Sequence, residues 1–363
     1  MNKSKVIAFY LPQFHPTAEN DQWWGKGFTE WTNVVKAKPL FKGHQQPNIP
    51  SELGFYDLRL SESREQQALL AKEHGVDAFC YCHYWMGNGK QLLEKPLQQV
   101  VSTGKPHFPF CLGWANHHWE KKFWNKDVSI FNKERLMTQE YPGIQDHKAH
   151  FYTMINTFKD ARYYKVNGKL LFIIYDINNF PLIEEFMSLW QELARENGLP
   201  GFYFMSMASD KATIDYSNKI GIDGVIYENL HSTIADIGIN RHRFQNLVAT
   251  ILRQPLSIMS YKKFISKIDY SLVMNNKKIY PSIYPNWDTS PRRGVAGDII
   301  IDSTPELFYT HVSRVVKMME SRDPEDNIIF LKSWNEWAEG NYMEPDLKYG
   351  RGRLEALKSA LGK

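Results

Sequence analysis

The sequence predicts a (β/α)8 barrel with enlarged loops, and three observations carry that reading. Eight short β-rich runs alternate with helical patterns along 363 residues, the mark of a parallel sheet whose strands are joined by helical crossovers. The turn after the first run, Tyr10-Leu11-Pro12-Gln13-Phe14-His15-Pro16, lacks the glycines with which a doubly wound sheet cradles a phosphate. The chemically unusual residues gather just beyond the ends of the runs, where a barrel keeps its chemistry. Residues 1–363 then read as one barrel domain with no low-complexity linker.

Taken in order, the strand candidates are Val6–Leu11, Ala78–Tyr84, Phe108–Gly113, Leu170–Tyr175, Phe202–Met207, Gly224–Glu228, Lys278–Tyr284 and Ile328–Trp334. Helices fill the intervals. Ser61 to His74 ends at Gly75, and Leu92 to Val101 has a similar pattern. Ile183, Phe186, Met187, Trp190, Leu193 and Ala194 recur at helical spacing, with Gly198 placed for a left-handed cap. Before the last strand, Ser303-Thr304-Pro305-Glu306 supplies a capping hydroxyl, an early proline and a first-turn acid. Phe308, Val312, Val315 and Met319 then mark one buried face.

Composition narrows the function classes. With 43% hydrophobic and 23% charged residues the chain has an ordinary globular make-up. Its net charge of +4 is spread without a sustained basic run, which argues against a nucleic-acid partner. Three cysteines, Cys80, Cys82 and Cys111, cannot all pair and read as reduced, mostly core thiols. The apolar run from Val6 to Leu11 is too short for a secretory leader, and no stretch is long enough to span a bilayer. A native N-terminus would therefore make the protein cytoplasmic, with no membrane insertion; its oligomeric state is not legible.

The loops carry the chemistry. Tyr10 lies near the end of the first strand and Gln13, His15 and Trp24 follow it; His83, Tyr84 and Trp85 end the second; Trp114, Asn116 and His117 follow the third; Trp287 and Asp288 follow the seventh. Of eleven tryptophans, Trp190 alone falls in a predicted helix. Indole faces suit the C–H faces of a sugar, while the interspersed polar groups can bond hydroxyls. An oligo- or polysaccharide substrate accounts for both residue types.

After the last strand comes SWNEWAEGNYMEPD, Ser333 to Asp346, with Glu336 and Glu339 beside Asn335 and flanked by Trp334 and Trp337. Their i, i+3 spacing brings two carboxyls to one side of a turn. Desolvation and mutual repulsion would raise one pKa, giving a protonated acid beside an ionised partner. Glycosidic bond cleavage requires that division. His117-His118 with Glu120 and His83 lacks metal-ligand spacing, so no metal and no cofactor is expected. PNWDTSPRRG, Pro285 to Gly294, reads either as a turn bridged by Asp288 and an arginine or as a sugar or anion contact.

The segments AFYLPQFHP (Ala8–Pro16), NDQWWGKGFTEWTNV (Asn20–Val34), Gly54–Leu60, His83–Trp85, Trp114–Asn116, PNWD with PRRG, and WNEWAEGNYMEPD together resemble the WbsX-like proteins. Members of that family are labelled glycosyltransferases of cell-surface polysaccharide synthesis and are related to the glycoside hydrolase family 99 endo-α-mannosidases. The resemblance implies a (β/α)8 barrel acting on saccharides. It also implies that Glu336 is the base toward a substrate 2-hydroxyl, forming a 1,2-anhydro sugar, and that Glu339 is the acid, then base. Ala338 stands where the hydrolases have histidine, and His117-His118 where relatives more often have Glu-Asn. A retaining, endo-acting hydrolase of manno-configured sugars is the leading expectation. A transferase of O-antigen, capsular or lipopolysaccharide assembly is the rival, against which stands the lack of any Asp-x-Asp pair. A catalytically inactive carbohydrate-binding protein is the third reading.

Overall fold

The structure is a computed structural model that describes residues 4–122, 133–237, 248–249 and 251–363. Its centre is a closed ring of eight parallel strands: β1 (Lys5–Tyr10), β2 (Ala78–Trp85), β3 (Phe110–Trp114), β4 (Lys169–Ile174), β5 (Phe202–Ala208), β6 (Gly224–Tyr227), β7 (Ile279–Ile283) and β8 (Ile328–Leu331). Each strand pairs with its sequential neighbour, and β1 closes the ring by pairing with both β2 (Ile7 opposite Ala78) and β8 (Val6 opposite Ile329). All eight predicted strands are present. The fold is the (β/α)8 barrel that their number and spacing predicted.

These strands are apolar almost throughout, as expected of parallel strands covered on both faces. Alternation along each strand then sorts side chains between the barrel interior and the helix layer. Phe9 of β1 meets Phe330 of β8 and Tyr175 beyond β4, whereas its neighbour Tyr10 points the other way, against Phe79 and Tyr81 of β2. The outer layer includes the helices Ser61–Glu73, Lys95–Thr103, Ile183–Glu196 and Pro305–Met319. Pro305–Met319 starts as its sequence requires, with the Thr304 hydroxyl accepting from Leu307 N–H at 3.4 Å. The three cysteines are free; Cys80 and Cys111 are buried.

Further elements cover the mouth at the strand C-termini. Trp23 and Trp24 lie on the short helix Ala18–Trp24 and Trp31 on Glu30–Lys36, so the aromatic segment after β1 is more helical than its sequence suggested. Two-residue strands, Asn335–Glu336 and Asn341–Tyr342, pair antiparallel around the turn that holds the two acids.

Candidate active site

The turn is built by its own sequence and by β7's following segment. Trp337–Glu339 form one 3-10 turn ended by Gly340 at φ 61°. A Cβ on Gly340 would lie 2.9 Å from the backbone nitrogen of Asp288, so both the left-handed conformation and the close approach demand glycine. The Asp288 N–H donates to the Glu339 carbonyl at 2.7 Å, clamping the two loops together. On the other side, Asn335 accepts from Leu11 N–H at 2.8 Å and donates to Leu11 C=O at 3.0 Å, extending the β1 edge.

Glu336 and Glu339 reach solvent through this mouth, with side chains 22% and 20% exposed. Between them stands Arg292, from the helical turn Ser290–Arg293 after β7. Its Nη1 pairs with Glu339 Oε1 and lies 3.5 Å from Glu336 Oε1. Its Nη2 and Nε hold Glu30 Oε1 at 2.5 and 3.1 Å. Lys332, directly after β8, pairs with Glu228, directly after β6, at 3.4 Å. Four carboxyl groups and two cations thus share the rim.

Burial, then the charge of Glu339, pushes Glu336 up to about 8. Burial likewise raises Glu30, with Arg292 pulling the other way. Burial works against the charge of Arg292, but Glu30, Glu339 and Glu336 outweigh it and hold the guanidinium above its ordinary value. Lys332 behaves similarly: desolvation opposes its charge, and Glu228, Glu336 and Glu339 raise it. Burial would also raise Glu228, but Lys332 and then His231 bring it below the ordinary carboxylate value. The rim therefore offers a protonated carboxyl near neutral pH beside carboxylates held by fixed cations. Such a set can give and take protons at one bond.

Of the other residues predicted for the site, Tyr84 comes into this group: burial raises its phenol, and Cys82 and Glu336 add to that. Several others lie elsewhere. Tyr10, His83, Trp85 and Trp114 occupy outward positions of their strands and face the helix layer. Tyr10 bonds Gln67 at 2.6 Å, and His83 Nε2 lies 2.7 Å from His150 Nε2, its desolvated ring lowered to about 3. Trp85 stacks on His150 with ring centres 4.6 Å apart and donates to Asp146 at 2.9 Å. Trp114 packs edge-on to His150 and Phe180 and donates to the Trp85 carbonyl.

Other nominated groups are braces. Asn116 donates to Asp176 C=O at 2.6 Å and Tyr141 at 2.8 Å and accepts from Asp176 N–H, locking the β3 and β4 exits together. Asp288 accepts from Gln46, Ser290 N–H and the His44 ring, leaving its carboxylate occupied. Trp287 is buried edge-on to His231. Trp337 is buried flat on Tyr342, 3.8 Å between ring centres. His15 is buried, and burial lowers it to about 4. Gln13 is half-buried, bonded to Asn20 at 3.3 Å, and His117 is exposed. Trp24, half-buried against Phe28, is the one of the five proposed sugar platforms, Trp24, Trp85, Trp114, Trp287 and Trp337, whose ring is not buried. The expected array of exposed indoles is absent because these rings fill the layer between strands and helices or the base of the acid turn.

What the sequence reading missed is mostly charge. Glu30 lay inside FTEW, and Glu228 and Lys332 inside the predicted sixth and eighth strands, none with an assigned role, while an arginine of PRRG was read only as a bridge to Asp288 or an anion contact. The observed strands end at Tyr227 and Leu331, which places Glu228 and Lys332 at the rim. Among the described residues no group of three or more His, Cys, Asp or Glu side chains is placed to hold a metal ion, and no helix is long and apolar enough to cross a membrane.

The closed ring of eight parallel strands, with a charged rim at their C-terminal ends, defines the class by its fold, a (β/α)8 barrel. The profile described as Glycosyltransferase WbsX matches residues 6–357, and the chain belongs to that family. Two curated relatives, each named uncharacterized protein WxcX, come from Xanthomonas campestris pv. campestris. The strain B100 protein is 31% identical over 367 residues and the ATCC 33913 protein 32% over 357, each alignment covering 98% of this chain and 49% of the relative. The chain spans about half the length of the curated relatives it matches. Among solved structures, the family 99 endo-α-mannosidase of Bacteroides thetaiotaomicron superposes with a TM-score of 0.57 at 13% identity, covering 99% of this chain and 96% of the other. A protein described as glycoside hydrolase-like gives 0.63 at 13% identity, covering 99% and 94%. These likenesses concern the fold.

Proposed function

We propose that the protein is a retaining, endo-acting glycoside hydrolase that cleaves an oligo- or polysaccharide of manno-configured sugars with the pair Glu336 and Glu339. The observation that carries this reading is the rim itself: two carboxyls on one turn, one pushed up to about 8 by burial and its neighbour's charge, the other paired with Arg292. One proton donor and one carboxylate at a single bond are what glycoside cleavage needs. Kinship to a fold shared with an endo-α-mannosidase supports the sugar class.

The second reading is a glycosyltransferase of polysaccharide assembly, favoured by the description of the matching family. Incubation with α-mannosyl and rhamnosyl oligosaccharides, with and without sugar nucleotides, separates the two when products are weighed by mass spectrometry. Hydrolysis without nucleotide is the expected result; strict dependence on a nucleotide sugar would replace the hydrolase with the transferase. Single Glu336→Gln and Glu339→Gln variants should each slow natural substrates by about 10²–10⁴-fold, the range for one acid–base group. Activity untouched by either would leave the turn as a binding or packing feature.

A further inference from the structure

The mouth of the barrel has a charged half and an apolar half. Glu228, Arg292, Lys332 and the acid turn come from the ends of β6, β7 and β8, joined by Glu30 from the loop after β1. The exits of β1, β2 and β3 otherwise bring aromatic and aliphatic side chains. Tyr84, Met86, Leu92, Leu93 and Ala115 form a buried apolar cluster apart from the main core, and Trp23 and Trp119 are among the partly buried side chains packed on it. Trp23 comes from the Ala18–Trp24 helix, which is fixed at its start by the Thr17 hydroxyl accepting from Asn20 N–H at 3.1 Å and tied to the segment after β2 by the Glu19–Lys90 ion pair. Trp119 opens a two-stranded antiparallel ribbon, Trp119–Lys122 with Lys133–Met137, and stands opposite Met137. The two indoles meet with ring centres 5.5 Å apart and planes tilted by 47°, and Tyr84 abuts Trp119 edge-on at 5.2 Å. Trp85, Trp114, Trp190 and Trp337 are buried, whereas Trp23 and Trp119 each keep part of their surface open. Tyr84 links this pair to the chemistry, since the charges of Glu336, Arg292 and Glu30 all act on its phenol.

We propose that Trp23 and Trp119 form a binding platform for a pyranose unit of the substrate chain, placed beyond the unit held at the acid turn. Indole rings present electron-rich faces, which suit the C–H face of a sugar ring while its hydroxyls stay at the edge in water. An open aromatic pair over an apolar floor, next to a few convergent polar groups, is the usual make-up of a small-molecule site. An enzyme that cuts inside a chain must hold units on either side of the bond, and the apolar half of the mouth supplies a place for one of them. The platform rests on the saccharide reading above and not on hydrolysis, because the acceptor chain of a transferase would use it equally. Trp24, nominated from the sequence, stacks instead on Phe28, so the helix turns Trp23 to the cluster in its place.

Two measurements test the platform, and neither needs turnover. In wild-type protein, limiting N-bromosuccinimide oxidises accessible indoles, and peptide mass spectrometry reads each tryptophan separately. Trp23 and Trp119 should oxidise ahead of the buried Trp85, Trp114, Trp190 and Trp337. α-Mannosyl or rhamnosyl oligosaccharides should shield both, longer chains more than short ones, since only a chain that runs past the acid turn reaches them. The second measurement is calorimetric binding of the same oligosaccharides in a Glu339→Gln background that keeps them intact. Trp23→Ala and Trp119→Ala should each weaken binding by about tenfold, and Trp119→Phe, which keeps a ring face, by less. The shielding experiment uses the unaltered chain and so stands even where an alanine variant fails to fold. A saccharide that binds without shielding either indole, or with an affinity unmoved by both alanine substitutions, would overturn the platform and leave the hydrolase in place. Shielding with no bond cleavage would keep the platform and remove the hydrolase. Binding of no saccharide at all would overturn both.

Discussion

Glu344 is a carboxyl without a cation partner among the described residues, 2% exposed beneath the acid turn. It accepts from Trp337 Nε1 and Gln67 at 2.6 Å each and from Tyr56 at 2.9 Å. Burial pushes it up from 4.5 to about 7 in spite of those donors. An acid whose folded pKa is raised binds protons more tightly when folded, so it favours the folded state at low pH and loses that contribution as pH rises through the window from 4.5 to about 7. Glu344→Gln removes the titration while keeping an acceptor for Trp337. Thermal melts from pH 4 to 8 should therefore show the wild type losing stability relative to the variant by an amount on the order of 3 kcal/mol across that window. Parallel melting profiles would refute it. The same strand alternation that sends Tyr84 to the mouth sends His83 and Trp85 away from it. That parity was present in the sequence, but which parity faced inward depended on closure of the ring.

At the scale of the element, the acid turn is held by the loop after β7 more than by its own residues. Asp288 is the post: it accepts from Gln46 at 2.7 Å and from Ser290 N–H at 2.9 Å, and it meets the His44 ring at 2.9 Å. Its substitution by alanine leaves those buried groups unpaired, and each such orphan costs about 1–3 kcal/mol. Asp288→Ala should lower the melting temperature and also reduce turnover, since the side-chain bonds it loses fix the loop on which Glu339 is clamped; an unchanged melting temperature would remove Asp288 from the structural role. Gly340→Ala tests the same seam from the other side. Strain of about 1–3 kcal/mol for a non-glycine residue at positive φ adds to a Cβ lying 2.9 Å from Asp288. The turn should shift and saccharide turnover should fall, with near-wild-type kinetics counting against a tightly set acid pair. The sequence announced a turn here by WAEG; it did not announce its partner, because hydrogen bonds between distant loops leave no periodic trace.

At the scale of the whole molecule, a layer of buried aromatic rings packs the barrel strands against the helix Ile183–Glu196. Trp190, fully buried, touches Phe151, Phe158, Phe172, Phe186 and Phe202 and donates to the His147 carbonyl at 3.1 Å. Trp190→Ala should cost about 3–5 kcal/mol in denaturant unfolding, as for other large aromatic truncations in cores, while the folded fraction keeps its activity. A cost below about 1 kcal/mol would mean the layer is loosely packed. Strand count and helix faces were settled by the sequence, because each follows from residues close together in the chain: period two in a strand, 3.6 in a helix, and a cap or glycine at an end. The acid pair itself belonged to that local record, four residues on one turn. The tertiary structure alone decided which aromatics were walls and which faced the mouth, and which charges met. Glu30 and Arg292 are separated by 262 residues; they meet because closure of the ring brings the loop after β1 beside the loop after β7, and only then does Arg292 reach both glutamates of the turn, Glu339 more closely than Glu336.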